Sequence, residues 1–136
     1  MKFIPYLNYY GKAEAALEFY KEALDAEIMD TMRYKEEESM NAPVEVGDWI
    51  LHSGLIVNGE VIYVSDIISE DQYKQGNNIS IMIECDTEDQ IRKYFEKLSV
   101  GATINMPLEN TFWGALYGSL IDKFGINWDL NFQIEE

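Results

Sequence analysis

The sequence predicts an α+β protein built from two tandem βαβββ modules. Three observations carry this. The residue patterns run strand, helix, three strands, then a polar linker, then strand, helix and three strands again. The copies keep a fixed spacing, since Pro5 to Ser80, Phe19 to Tyr94 and Ala26 to Gly101 are each 75 positions apart. In the hairpins the spacing falls to 64, from Asn58 to Asp122, and the difference of 11 is about the length of one extra polar loop at 36–47. Module one is read as 1–68, the linker as 69–77 and module two as 78–136, together one domain. A chain of 136 residues is long enough to bury a sizeable core.

Each element has its own signal. "FIPYLNY" (3–9) is short, aromatic and branched, hence a strand. In "GKAEAALEFYKEALDA" (11–26), Ala13, Leu17, Tyr20 and Leu24 fall at helical spacing with charges between them. "EIMDTMRYKEE" reads as a strand that fades into Glu36, Glu37 and Glu38. The stretch 36–47, with Pro43 and Gly47, is a loop. "WILHSGLIVNGEVIYVSDI" is the clearest hairpin: Asn58-Gly59 suits the positive φ angles of a type I′ turn.

The second copy begins with the strand "NISIMIEC". The helix "DTEDQIRKYFEKLSV" follows, with Asp86 or Thr87 as its cap, Gln90 completing a capping box on Thr87, and Ile91, Phe95 and Leu98 as its apolar stripe. "GATINM" is a short strand, and Pro107 and Asn110 mark a loop. "WGALYGSLI" and "NWDLNF" flank the turn "DKFG" as a second hairpin. Asp122 to Gly125 makes that turn, and the glycines of its first strand permit curvature or close approach.

Composition excludes several classes. The formal net charge is -15, from 25 acidic and 10 basic residues. Such a field repels phosphate backbones and anionic membrane surfaces and attracts cations, so neither nucleic acid nor membrane is expected as a partner. The single cysteine, Cys85, rules out an intramolecular disulfide. The start "MKFIPYLNYYGK" lacks an apolar core of signal-peptide length, and no apolar run is long enough to span a bilayer. A cytoplasmic location is therefore expected.

The stretches "PYLNYYGKAEAALEFYKEALDAEI", "LHSGLIVNGEVIYVSD" and "WGALYGSLIDKFGINWDL" resemble the PhnB-like subgroup of the vicinal-oxygen-chelate superfamily, which includes glyoxalase I, bleomycin-resistance proteins and extradiol dioxygenases. The resemblance covers essentially the whole chain. It implies that each module forms a curved mixed sheet with its helix on the convex side, that concave sides line a cavity, and that the chain forms a homodimer, with Trp49 and Trp113 among its interface aromatics. Some members of the subgroup are labelled 3-demethylubiquinone methyltransferases. No glycine-rich strand-to-helix loop suited to S-adenosylmethionine occurs here, so that label is not carried over.

Strand alternation then assigns faces. Ile79, Ile81, Ile83 and Cys85 are expected under the second helix, leaving Ser80, Met82 and Glu84 toward the cavity. The 75-residue spacing sends Pro5, Leu7 and Tyr9 to the cavity in module one. In the last strand Ile126, Trp128, Leu130 and Phe132 are expected to pack, while Asn127, Asp129 and Asn131 face the cavity.

The superfamily's metal enzymes take His or Glu from the first and last strands of each module. Carried over position by position, the first-strand ligands correspond to Pro5 and Ser80, one last-strand ligand to Asp129, and the fourth lies near Tyr63 or Ser65. Asp66 is one place away, and alternation turns it to the opposite face from Ser65. Asp129 alone matches a competent donor, so no tightly bound metal or other cofactor is expected. The one histidine, His52, lies on a hairpin strand and is read as a structural or ligand-contacting residue. Cys85 is read as core.

The resulting expectation is a protein that binds a small polar or cationic organic molecule without metal. Its candidate contacts are Asp129, Asn127, Asn131, Glu84, Ser80, Met82, Leu7, Tyr9 and His52. The alternatives are a metal-dependent lyase, isomerase or dioxygenase with an altered ligand set that includes Asp129, and a structural dimerisation module with a vestigial cavity.

Overall fold

The computed structural model describes residues 1–134. The chain divides into two compact units, one through Lys74 and one from Gln75 onward. The first unit holds β1 (Tyr6–Tyr9), α1 (Ala13–Leu24), β2 (Glu27–Arg33), β3 (Ile50–Val57) and β4 (Glu60–Asp66). The second holds β5 (Ser80–Glu84), α2 (Glu88–Leu98), β6 (Thr103–Asn110), β7 (Ala115–Ile121) and β8 (Asn127–Gln133). Each unit folds one four-stranded mixed sheet, ordered β1-β4-β3-β2 in the first and β5-β8-β7-β6 in the second. The first strand of each unit runs parallel to the last, and the other neighbours are antiparallel. The tandem βαβββ architecture is therefore present.

In the first unit the helix covers the face that carries Leu7, Tyr9, Leu55 and Val64, and it contributes Ala13, Leu17, Tyr20 and Leu24 to the core. The Tyr9 hydroxyl is 2.8 Å from that of Tyr20, which joins β1 to α1 inside the core. Each such apolar side chain contributes about 1.5–3 kcal/mol by burial. Leu7 and Tyr9 thus pack inward, against the expectation that they face a cavity. The physical reason is a one-residue slip. Tyr6 pairs with Tyr63 as Ser80 pairs with Asn127, so the copies are offset by 74 positions here rather than 75. The buried helix residues agree, since Leu17, Tyr20 and Leu24 match Ile91, Tyr94 and Leu98 at that offset. In a strand one step exchanges the two faces. Tyr6 and Asn8, not Pro5, Leu7 and Tyr9, occupy the face turned away from the helix.

The N-terminus of α1 has no side-chain cap of its own. Asp66, from the end of β4 and 2% exposed, supplies one. One carboxylate oxygen accepts from the Ala13 N–H at 3.0 Å, and the other accepts from the Ile50 N–H at 3.0 Å. Helix, last strand and hairpin are thereby fastened through one buried carboxylate placed where the helix dipole favours it. The Tyr34 hydroxyl donates to the Asp66 carbonyl at 2.6 Å and anchors the 36–47 segment, which holds short 3-10 turns rather than featureless loop. In the β3–β4 hairpin Asn58 and Gly59 take φ of 49° and 83°, as a type I′ turn requires.

In the second unit Thr87 caps α2, accepting from the Gln90 N–H at 3.1 Å. Gln90 reaches back not to Thr87 but to the Asp86 N–H, at 2.7 Å, so the expected box closes one residue earlier. Ile91, Tyr94, Phe95 and Leu98 bury against a face that includes Leu116, Leu120, Trp128 and Leu130. Ile79 lies before β5 and is 78% exposed, outside the packed row in which the alternation placed it. β6 extends through Pro107 to Asn110, beyond the predicted strand. Pro107 is tolerated because β6 is an edge strand and its pairing is irregular between Met106 and Glu109. Gly118 marks a close approach: a Cβ there would lie 2.7 Å from the Phe95 ring and 3.0 Å from Leu108. Asp122, 3% exposed, holds the β7–β8 turn, accepting from the N–H groups of Phe124 and Ile126 and from the Trp128 indole.

Replacing Asp66 with Ala leaves two buried backbone donors unsatisfied. We expect a loss of about 2–4 kcal/mol in urea unfolding, and a loss below about 1 kcal/mol would show that the cap does not hold the first unit together.

Candidate functional site

The open face of the second sheet is assembled by the parallel pairing of β5 with β8. Ser80 stands beside Asn127, Met82 beside Asp129 and Glu84 beside Asn131. Alternation sends Ile81, Ile83, Trp128 and Leu130 to the helix and leaves these six on the other side. Six of the nine candidate residues thus share one face of the sheet, while Ile79 lies outside the row assigned to the helix and Asn131 is buried at 8% exposure.

Asp129 is its centre. The Ser80 hydroxyl donates to Oδ2 at 2.5 Å, and the Tyr117 phenol donates to Oδ1 at 2.7 Å. Asn131 donates to Glu84 at 3.0 Å, and Asn127 donates to the Ile79 carbonyl at 3.3 Å. A groove of about 240 Å³ opens along this edge, lined by the polar residues Asn77, Asn78, Ser80, Asn105, Ser119, Asn127 and Asp129 together with Ile79, Leu120 and Trp128. The lining is rich in side-chain amides, which both donate and accept.

The hydrogen bond to Asp129, with help from burial and the carboxylate charge, pushes the Tyr117 phenol up to about 12. Tyr117 therefore keeps its proton and serves as a donor at neutral pH. Because its pKa is raised above the ordinary 10.0, the stabilisation it brings is full below about pH 10 and is lost as pH rises toward 12. Cys85 is likewise pushed up to about 12, here mainly by burial, and remains a protonated core thiol.

The sequence reading missed Tyr117, Ser119, Asn77, Asn78 and Asn105 as lining or anchoring groups. Two of them were legible in the hairpin register. Counting outward from the Asp122–Gly125 turn pairs Ser119 with Asp129 and Tyr117 with Asn131 on the same face. Asn77 ends the linker, Asn78 stands just before β5 and Asn105 lies on the edge strand, where no periodicity marks them.

The first unit presents a different surface. His52 is half-buried there, its Nδ1 2.6 Å from the Tyr6 hydroxyl, and its ring meets Tyr6 and Tyr63 edge-on at centroid distances of 5.6 and 4.9 Å. The pairing also gives a register for the position that the resemblance left between Tyr63 and Ser65. With Tyr6 the counterpart of Ser80, Ser65 is the counterpart of Asp129, and its hydroxyl donates to the Leu51 carbonyl at 2.8 Å. Asp66 turns to the opposite, buried face, as alternation requires. The corresponding positions are thus Tyr6 and Ser65 in the first unit and Ser80 and Asp129 in the second. Neither a phenol with a hydroxyl nor a hydroxyl with one carboxylate makes up the donor set of a first-row metal. Among the described residues no three His, Cys, Asp or Glu side chains gather as a metal set.

This architecture defines a class. A glyoxalase/bleomycin resistance protein/dioxygenase family enzyme from Burkholderia phytofirmans PsJN shares the fold, with a TM-score of 0.64 over 94% of this chain and 96% of that one at 16% identity. Protein PA1353 from Pseudomonas aeruginosa is more similar, with a TM-score of 0.87, 26% identity and 98% of both chains covered. The PhnB protein from Bacillus cereus is 31% identical over 97% of this chain and 99% of its own, with a TM-score of 0.82. A family model described as 3-demethylubiquinone-9 3-methyltransferase matches residues 1–131. The chain belongs to this family, the PhnB-like branch of the vicinal-oxygen-chelate superfamily. The methyltransferase in that description belongs to the family's wording and finds no support in this chain: each sheet has one parallel strand pair and one covering helix, not the doubly wound sheet with a glycine-rich turn that cradles a nucleotide cofactor.

Replacement of Asp129 by Asn should bring the Tyr117 phenol back toward the ordinary tyrosine range. Site-resolved tyrosine ring-carbon NMR across pH 9–13 reads this directly; a Tyr117 midpoint unmoved by the substitution would refute the Asp129–Tyr117 coupling.

Proposed function

We propose that the protein binds a small polar or cationic organic molecule on the open face of its second unit, with Asp129 as the anchor and no metal required. The observation that carries this reading is the setting of Asp129. Its carboxylate is oriented by two hydroxyl donors, stays accessible, and borders a groove walled by asparagine amides. A small binding site of this kind uses a few placed polar groups to fix orientation. The formal charge of -15 adds long-range attraction for a cation. Glu84, Asn131, Asn127, Ser80 and Met82 are the neighbouring contacts in this proposal. Leu7 and Tyr9 leave it, because they pack under α1.

The test is calorimetric titration of chelator-treated protein with a panel of small cationic, neutral and anionic polar compounds. Saturable binding of a cationic or neutral member is expected without added metal. Asp129→Asn should weaken it by about 10- to 100-fold, the worth of a charged hydrogen bond of about 1.5–3 kcal/mol. Binding that appears only after a divalent metal is restored would replace this reading with the metal-dependent one.

A further inference from the structure

We propose that the group recognised at Asp129 is a primary or secondary ammonium, an N–H-bearing cation, and that quaternary ammonium compounds are discriminated against. This rests on the binding reading above and narrows its ligand class.

The argument begins with acceptor capacity. A carboxylate offers about four lone-pair sites. Ser80 and Tyr117 occupy one on each oxygen of Asp129, which leaves acceptor capacity facing the groove. An N–H-bearing cation can use those lone pairs in charge-assisted hydrogen bonds, about twice as strong as neutral ones. A quaternary ammonium has no proton to give.

The neighbouring groups point the same way. Asn127 lies two positions before Asp129 on the same face of β8. Its Nδ2 donates to the Ile79 carbonyl, so the amide is oriented with its oxygen as acceptor. A second N–H of the ligand finds that oxygen, and the exposed amides of Asn77, Asn78 and Asn105 supply further acceptors and donors at the rim. Tyr117 turns its hydroxyl edge, not its ring face, to Asp129, and no ring face is presented by the described residues that line the groove. Its one aromatic lining residue, Trp128, is 1% exposed and holds its indole N–H on Asp122. Quaternary ammonium groups are recognised by aromatic faces within about 6 Å, and none is presented among the lining residues.

Size gives a bound as well. The groove of about 240 Å³ is small and open to solvent, so it suits a short amine or the amine end of a longer molecule.

Ethanolamine, choline and ethylene glycol share a hydroxyethyl arm and differ in the group tested. Each is titrated into chelator-treated, full-length protein, with backbone amide NMR shifts as the readout. Ethanolamine is expected to bind at least about tenfold more tightly than choline or ethylene glycol, and to lose that advantage in Asp129→Asn. Choline binding as tightly as ethanolamine, or ethylene glycol matching it, overturns the ammonium assignment while the broader reading of a polar-ligand site stands. If none of the three shifts any resonance of the groove, the site reading fails and takes this inference with it. An ethanolamine preference that survives Asp129→Asn overturns the inference alone.

Discussion

The chemistry of each unit depends on the parallel pairing of its first strand with its last. That register decides which side chains meet the helix and which are left for solvent or ligand. In the first unit it gives the helix Leu7, Tyr9 and Val64 and leaves Tyr6, His52 and Tyr63 in edge-on contact on the other face. In the second it gives the helix Trp128 and Leu130 and leaves Ser80, Met82, Glu84, Asn127, Asp129 and Asn131. One topology, applied twice, therefore yields an aromatic surface and a polar one. The difference lies in which residues the alternation turns outward.

Three aspartates show how position sets role. Asp66 directs both oxygens to backbone donors and fastens α1 to its sheet. Asp122 accepts from two backbone N–H groups and an indole and fastens a turn. Both are nearly inaccessible, and their work is structural. Asp129 is oriented by side-chain hydroxyls instead, and it remains partly exposed at the wall of a groove. Only the third keeps its carboxylate partly exposed, and the proposed binding role rests on that. In the proposed reading the negative charge favours a cation there, and the open lone pairs of the carboxylate favour one that carries N–H groups.

Most of the fold was legible in the sequence because its signals are local. Helical spacing marked Leu17, Tyr20 and Leu24, and the Asn58-Gly59 pair marked the hairpin. Alternation in β8 set Asp129 on the face opposite Trp128 and Leu130, and those two are the buried ones. The same rule failed in β1, because a repeat spacing averaged over a whole module was 75 where the strand itself required 74. A period-two pattern does not forgive one residue. The residues Tyr6, Leu7, Asn8 and Tyr9 did not correct it, since each face of the strand carries a tyrosine. Tyr117 was missed for another reason. Its partnership with Asp129 is a diagonal contact across a hairpin, visible only when the register is counted from the turn. Gln90 closing on Asp86, and β6 running through Pro107, depend on geometry at element ends, where sequence patterns are weakest.

The central claim is that the Asp129 carboxylate itself receives the ligand. Side-chain carboxyl carbon NMR of the intact protein reads that atom during an ethanolamine titration. A saturable shift of the Asp129 carboxyl resonance, following the same binding curve as the backbone amides around it, is the predicted result. An Asp129 carboxyl that stays fixed while other resonances saturate would place the ligand elsewhere and contradict it.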